Sequence, residues 1–140
     1  MSSQDPAELV KQRNRFLQAL GLEFQTIGPT RVVASMELGP DQHTPWGVVH
    51  GGAYTTAIES LASVGASAAV YERGQFAVGV NNNTDFLRPV TTAKVNLVAE
   101  PLMQGSVQQL WLVTITRADD GKVVARGQVR LQNVPLGDRT

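Results

Sequence analysis

Residues 47–59 read Gly47-Val48-Val49-His50-Gly51-Gly52-Ala53-Tyr54-Thr55-Thr56-Ala57-Ile58-Glu59. Two glycines stand where a loop gives way to a run of small residues. The run continues to Tyr71, with Ala62, Ala66 and Ala69 following Ala53 and Ala57. This predicts a long helix over about residues 52–71. Its alanines are too small for an ordinary surface, and they imply close packing beneath a sheet. Thr55, Thr56, Val64 and Gly65 weaken the intrinsic helix propensity, so tertiary burial must supply the rest. One carboxylate, Glu59, sits two turns into this helix among alanines and hydroxyl residues. A charge inside an apolar helix is costly unless it has a partner or a task.

Upstream, Asp5-Pro6-Ala7-Glu8 has the form of a helix start: Asp5 caps, Pro6 fits the first turn, and Glu8 holds the capping-box position. Leu9, Phe16 and Leu20 then recur at helical spacing, and Gly21 is a terminator. Residues 1–21 are therefore expected to form a short amphipathic helix on the edge of the domain. Residues 22–134 form the domain itself, and residues 135–140 a loose tail. Arg31 to Leu38 suits a strand, with Gly28-Pro29 as the turn before it, and Gly39 to Gly47 is a loop.

Downstream come four strand-like runs: Phe76–Leu87, Lys94–Met103, Gln108–Arg117 and Lys122–Leu131. Gly105-Ser106 joins the second to the third. Asp119-Asp120-Gly121 joins the third to the fourth, a strong hairpin signal. Asn81-Asn82-Asn83 fits a strand interior poorly, and local rules read it as a turn. One or two strands, a long apolar helix and four consecutive antiparallel strands make an α+β layer architecture, a single sheet wrapped around one buried helix.

The chain has 140 residues, enough for one ordinary domain, and 42% of them are hydrophobic, which supports a real core. Twelve basic residues balance 12 acidic ones, so no global field recruits nucleic acid or an acidic membrane. The absence of cysteine excludes disulfides, thiolate metal sites and a cysteine nucleophile. The N-terminus lacks the basic and apolar regions of a signal peptide, and we expect a cytoplasmic protein. The nearly uncharged stretch from Gly47 to Tyr71 holds Glu59, His50 and many hydroxyls, and reads as a buried helix rather than a membrane span.

A glycine at a helix start offers a backbone N–H to an anion. An oxyanion donor and a lone acid together point to acyl-transfer chemistry. The element Gly47-Val48-Val49-His50-Gly51-Gly52, followed by Glu59-Ser60, resembles the hotdog-fold acyl-CoA thioesterases. These include the phenylacetate-pathway (PaaI-like) and aryl-CoA (4-hydroxybenzoyl-CoA) groups. Asn81-Asn82-Asn83-Thr84-Asp85-Phe86-Leu87-Arg88-Pro89-Val90 strengthens the likeness, which spans roughly residues 22–132. The resemblance implies a hotdog fold, an antiparallel sheet wrapped around the long central helix, and it places the asparagine run in a strand. It also implies a homodimer with a continuous sheet, assembly to a homotetramer, and acyl-CoA bound at the dimer interface. Coenzyme A is then part of the substrate, and no separate cofactor is implied.

Spacing supports an interface site. Gly51 and Glu59 lie eight residues apart, about 12 Å along a helix. A carbonyl about 3 Å from the Gly51 N–H cannot also touch so distant an acid. Either one of the two is not catalytic, or they come from different chains of a symmetric dimer. In the second case Gly51 of one subunit polarises the thioester and Glu59 of its partner does the chemistry. Glu59 is then a nucleophile forming a mixed anhydride, or a general base activating water. The bland alternative is a buried acid that caps or pairs with an arginine. Ser63, one turn on, shares its helix face and is a candidate to hold the water or steady the carboxylate.

His50 is either an orienting residue near the oxyanion site or a histidine that fixes its loop by hydrogen bonds. Gly52 and Arg88 are candidates for coenzyme A contacts, Arg88 because phosphates favour arginine. The alternative for Arg88 is a solvated strand-end charge or an ion pair with Asp85. Trp46 and Tyr54 either line the acyl pocket or pack at the dimer seam. Thr44 departs from the resemblance, since relatives usually carry Asn or Gln there to place substrate or water; Gln42 and His43 are the neighbouring substitutes. His43, His50 and Glu59 match no metal-ligand spacing, and no metal site is expected. Two other functions share the fold. One is a non-catalytic acyl-CoA-binding module, against which Glu59 argues. The other is an acyl thioester hydratase or dehydratase, whose histidine–acid motif is not visible.

Overall fold

The computed structural model describes residues 5–12 and 14–137. Two short helices, α1 (Pro6–Leu9) and α2 (Arg15–Leu20), precede strands β1 (Leu22–Ile27) and β2 (Val32–Leu38). A short 3₁₀ turn at Pro40–Gln42 leads to the long helix α3 (Gly51–Val70). Strands β3 (Gln75–Phe86), β4 (Ala93–Gln104), β5 (Gln108–Arg117) and β6 (Val123–Pro135) complete the chain.

The N-terminal segment is two helices, not the single helix expected. Asp5 caps α1 by accepting from the Ala7 N–H at 2.9 Å. Asn14 then opens a second helix by accepting from the N–H groups of Phe16 and Leu17. A fresh N-cap restarts the helix because asparagine competes for the backbone's own hydrogen bonds. Gly21 ends α2 in the left-handed conformation at φ 70°, as its lack of a Cβ permits. The tail begins later than expected: Pro135 still pairs with Gln75, and the Leu136 N–H donates to the Gly74 carbonyl. The rest of the expected tail, 138–140, lies outside the described residues, as do 1–4 and 13.

The six strands form one antiparallel sheet in the order β1-β2-β4-β5-β6-β3. Strands β4, β5 and β6 are consecutive neighbours, joined by the two hairpins read from the sequence. Strand β3 does not pair with β4; it lies at the far edge beside β6. The β3–β4 connection, for which the sequence offers no hairpin signal, crosses from one side of the sheet to the other.

Helix α3 touches all six strands, so the sheet folds around it. Ala57, Ile58, Leu61, Ala62 and Ala66 are fully buried on its inner face against Trp111, Met36, Leu97 and Ile115. A Cβ built on Gly65 would fall 2.6 Å from the Trp111 ring, so the helix approaches β5 as closely as a glycine allows. A fully satisfied amide network locks the same region. The buried Gln109 accepts from Trp111 Nε1 and donates to the Ala66 carbonyl and to Asn133 Oδ1. This is the hotdog arrangement: a sheet curled about one central helix of small residues.

Strand β3 carries the asparagine run. A bulge at Val80 shifts its register against β6 between Gly79 and Asn81. Ala77 and Gly79 face the helix before the bulge; Asn82, Thr84 and Phe86 do so after it. An extra residue in one strand reverses the alternation, and here it aims the amide of Asn82 at α3.

Candidate active site

Helix α3 has two faces. The inner one is apolar; the outer one carries Thr55, Thr56, Glu59, Ser60, Ser63 and Val64. Its hydroxyls turn partly back on the helix, Thr55 to the Gly51 and Gly52 carbonyls and Ser60 to that of Thr56. This outer face floors a groove of about 630 Å³, also lined by Phe16, Leu17 and Asn82. Glu59 and Ser63 share that groove.

Glu59 is exposed in the single chain. The expectation of a buried carboxylate is corrected: the acid sits on the helix face turned away from the sheet core. One of its oxygens, Oε1, accepts from Asn82 Nδ2 at 3.4 Å. The Asn82 amide also donates to the Thr55 carbonyl at 3.1 Å, and its oxygen accepts from the Thr84 hydroxyl at 2.7 Å. Gly79 lies beneath the carboxylate. A Cβ there would stand 3.3 Å from both Cδ and Oε2 of Glu59.

Gly51 is the first residue of α3, and its N–H has no hydrogen-bond partner among the described residues. The ring of Phe86 covers its Cα: an added Cβ would fall 3.0 Å from that ring. Glycine lets this half-exposed ring approach closely, and a side chain here would have to shift it by a few tenths of an ångström. His50 is the N-cap, its Nδ1 accepting from the Gly52 N–H at 2.8 Å. In neutral His50 the ring proton then resides on Nε2. The Gly52 N–H is committed to this cap.

Gly51, His50 and Thr44 do not line the groove that holds Glu59. Thr44 heads a tight turn. Its N–H donates to the Val48 carbonyl, its carbonyl accepts from the Gly47 N–H, and its hydroxyl accepts from the Trp46 N–H. Gly47 supports that turn at φ 81°. Neither neighbour is free to replace an amide at Thr44. Gln42 accepts from the Gly39 N–H and donates to the Ala19 carbonyl, and His43 Nε2 lies 2.6 Å from the Thr91 carbonyl.

Arg88 points elsewhere, its Nη1 donating to the Val123 carbonyl at 2.6 Å. Among the described residues it forms no ion pair with Asp85. Tyr54 is 3% exposed and belongs to the core, with its ring 6.2 Å from that of Phe86. This corrects both readings of Tyr54 as a pocket or seam residue. Burial pushes its phenol above the ordinary tyrosine range, against a smaller opposing effect of Arg117. Trp46, at the tip of the Thr44 turn, is 86% exposed.

Of the groove lining only Glu59 and Ser63 are read as site residues from the sequence; Asn82, the Phe16 and Leu17 wall, and Gly79 against the acid are not. Asn82 stood in a run that local rules make a turn, and its aim depends on the Val80 bulge. No composition signal marks that bulge.

The thioesterase superfamily profile matches residues 47–124, which hold the α3 start, Glu59 and β3. A "putative esterase" of Mycobacterium tuberculosis is 50% identical over 121 residues, 85% of this chain and 86% of the relative. Its solved structure superposes with a TM-score of 0.83 and covers 87% of this chain and 98% of that one. A Haemophilus influenzae thioesterase structure gives a TM-score of 0.84 at 27% identity, covering 96% of this chain and 94% of that one. A Pseudomonas aeruginosa thioesterase, solved as a Gln-to-Ala variant, gives 0.84 at 27% identity, covering 97% of both chains. The chain belongs to the thioesterase superfamily and carries its hotdog fold, which assigns it to the hydrolases of thioesters.

Proposed function

We propose that the protein hydrolyses acyl-CoA thioesters to a carboxylate and free coenzyme A, at a site completed by a second copy of the chain. The observation that carries this reading is the separation, on one helix, of a free donor and an exposed acid. The Gly51 N–H is unpartnered among the described residues at the start of α3, and Glu59 opens on a groove two turns further on. The rise of about 1.5 Å per residue keeps them about 12 Å apart. A two-fold related copy solves that distance twice over, setting each Gly51 against the partner's acid.

Strand β3 supports the pairing. It is 12 residues long and outermost in the sheet, with Val80 and Phe86 more than half exposed. A long edge with exposed apolar side chains is a surface that proteins cover. In the resulting dimer the helix-start N–H takes the charge that develops on the thioester oxygen. Glu59 either attacks the carbonyl carbon, expelling coenzyme A as a thiolate and forming a mixed anhydride that water then hydrolyses, or draws a proton from the attacking water and passes it to the departing thiolate. Ser63 holds that water in this reading, which its position on the same helix face and in the same groove supports. Two such dimers make the tetramer implied by the resemblance.

The test is thiol release, followed colorimetrically, across a panel of aryl- and fatty-acyl-CoA esters, with Glu59→Gln alongside. Turnover by the wild type and a fall of about a hundredfold or more in the variant are expected, with acyl-CoA affinity largely retained. Undiminished hydrolysis by Glu59→Gln would sink the mechanism.

A further inference from the structure

The only side chain that hydrogen-bonds the Glu59 carboxylate among the described residues is Asn82, which comes from a different element. An asparagine amide offers one acceptor end and one donor end. Here Oδ1 is taken by the Thr84 hydroxyl at 2.7 Å, which leaves the NH₂ end facing the Thr55 carbonyl and Glu59 Oε1. The reverse orientation would set the amide oxygen against a carbonyl and a carboxylate, three acceptors together. The Thr55 carbonyl and the Glu59 carboxylate therefore dictate the orientation, and the Thr84 hydroxyl, which can donate or accept, anchors the amide's other end.

Gly79 completes the arrangement, for any side chain there would crowd Glu59 Cδ and Oε2. Without these contacts an exposed glutamate would spread freely over its rotamers. The Val80 bulge is what brings Gly79 and Asn82 to the same side of β3. Strict alternation from Gly79 would have turned Asn81 and Asn83 toward the helix and Asn82 away from it.

We propose that Asn82 is a positioning residue for the Glu59 carboxylate, oriented by Thr84, so that the bulged strand β3 presets the acid for reaction. The inference rests on the reading of Glu59 as the reacting group. It concerns how the acid is held, not whether it reacts.

The experiment compares kcat and KM of full-length Asn82→Ala, Asn82→Asp, Thr84→Val and the Asn82→Ala/Thr84→Val double variant. The substrate is the acyl-CoA ester turned over best by the wild type, and melting temperatures are recorded in parallel. Asn82→Ala should lower kcat by about tenfold or more, with KM within about twofold. Asn82→Asp keeps the shape and the Thr84 contact but replaces the donor with a like charge, so it should lose at least as much. Thr84→Val should lose less, and should add nothing in the Asn82→Ala background, since residues acting through one group are non-additive.

If Asn82→Ala and Asn82→Asp retain kcat within about twofold while Glu59→Gln is inactive, the positioning role is wrong and the catalytic reading stands. A kcat loss matched by a fall in melting temperature of many degrees, or equal effects of Thr84→Val with and without Asn82, also overturns it. Full activity of Glu59→Gln, or no thiol release by the wild type on any ester, removes the underlying reading and this inference with it.

Discussion

At the scale of single residues, the two glycines near the acid and the donor are there for different neighbours. Gly79 leaves room for Glu59, and Gly51 leaves room for the ring of Phe86. Gly79→Ala should fold normally, because the crowded atoms belong to an exposed, flexible side chain that gives way. The displaced carboxylate should cost on the order of tenfold in kcat, read as a kcat loss at unchanged melting temperature. Gly51 allows a sharper comparison. Ala and Pro at this position both press on Phe86, and proline suits the first position of a helix. Only proline removes the N–H. If that N–H is the oxyanion donor, Gly51→Pro should turn over about a hundredfold more slowly than Gly51→Ala. Equal rates in the two variants would show that the N–H takes no part.

At the scale of elements, the contact of α3 with the sheet determines which substitutions the helix tolerates. Replacing a mid-helix glycine by alanine ordinarily gains up to about 1 kcal/mol. At Gly65 the new methyl would lie 2.6 Å from the Trp111 ring and 2.9 Å from Val32. Overpacking of that kind costs about 1–3 kcal/mol. Gly65→Ala should therefore lower the urea midpoint despite its better propensity. The β5–β6 hairpin offers a pH-dependent case. Hydrogen bonds from the Arg117 side chain and the Lys122 N–H hold the Asp120 carboxyl well below the usual carboxylate range. A depressed folded-state pKa contributes stability that is complete above the ordinary carboxylate range and fades as pH falls through it and below. Urea midpoints of wild type and Asp120→Asn should differ most near neutrality, converge on acidification, and differ less in high salt, since the pair is exposed.

At the scale of the whole molecule, the outer edge of β3, unpaired among the described residues, lies beside a groove that holds Glu59 but not Gly51. If two copies complete each other, inactive variants should rescue one another. A mixed dimer of Gly51→Pro and Glu59→Gln has one site with both defects and one intact site. Random mixing makes about half of the dimers mixed, so co-refolding or co-expression should restore about a quarter of wild-type turnover. Activity that stays at the level of the separate variants would place donor and acid within one chain and require the helix geometry to be rethought.

Much of this protein could be read from local pattern alone. The small-residue helix, the strands after Gly74, the hairpins at Gly105 and Gly121 and the single-domain α+β class follow from periodicity and turn chemistry, because each depends on neighbours a few residues away. The Gly51 and Glu59 positions and their mutual distance are equally local, since helical rise alone sets them. Tertiary structure decided the rest. Strand β3 sits at the sheet edge, although its run is as strand-like as the others, because pairing partners are chosen by long-range packing. Thr55, Thr56, Glu59, Ser60 and Ser63 recur at three- and four-residue spacing, so the polar face of the helix is legible in the sequence. What covers or leaves open that face is decided by the tertiary packing of Phe16, Leu17 and Asn82 around it. Asn82 meets the acid because one extra residue at Val80 reverses the side-chain alternation, and a bulge forms only when two strands are already in register.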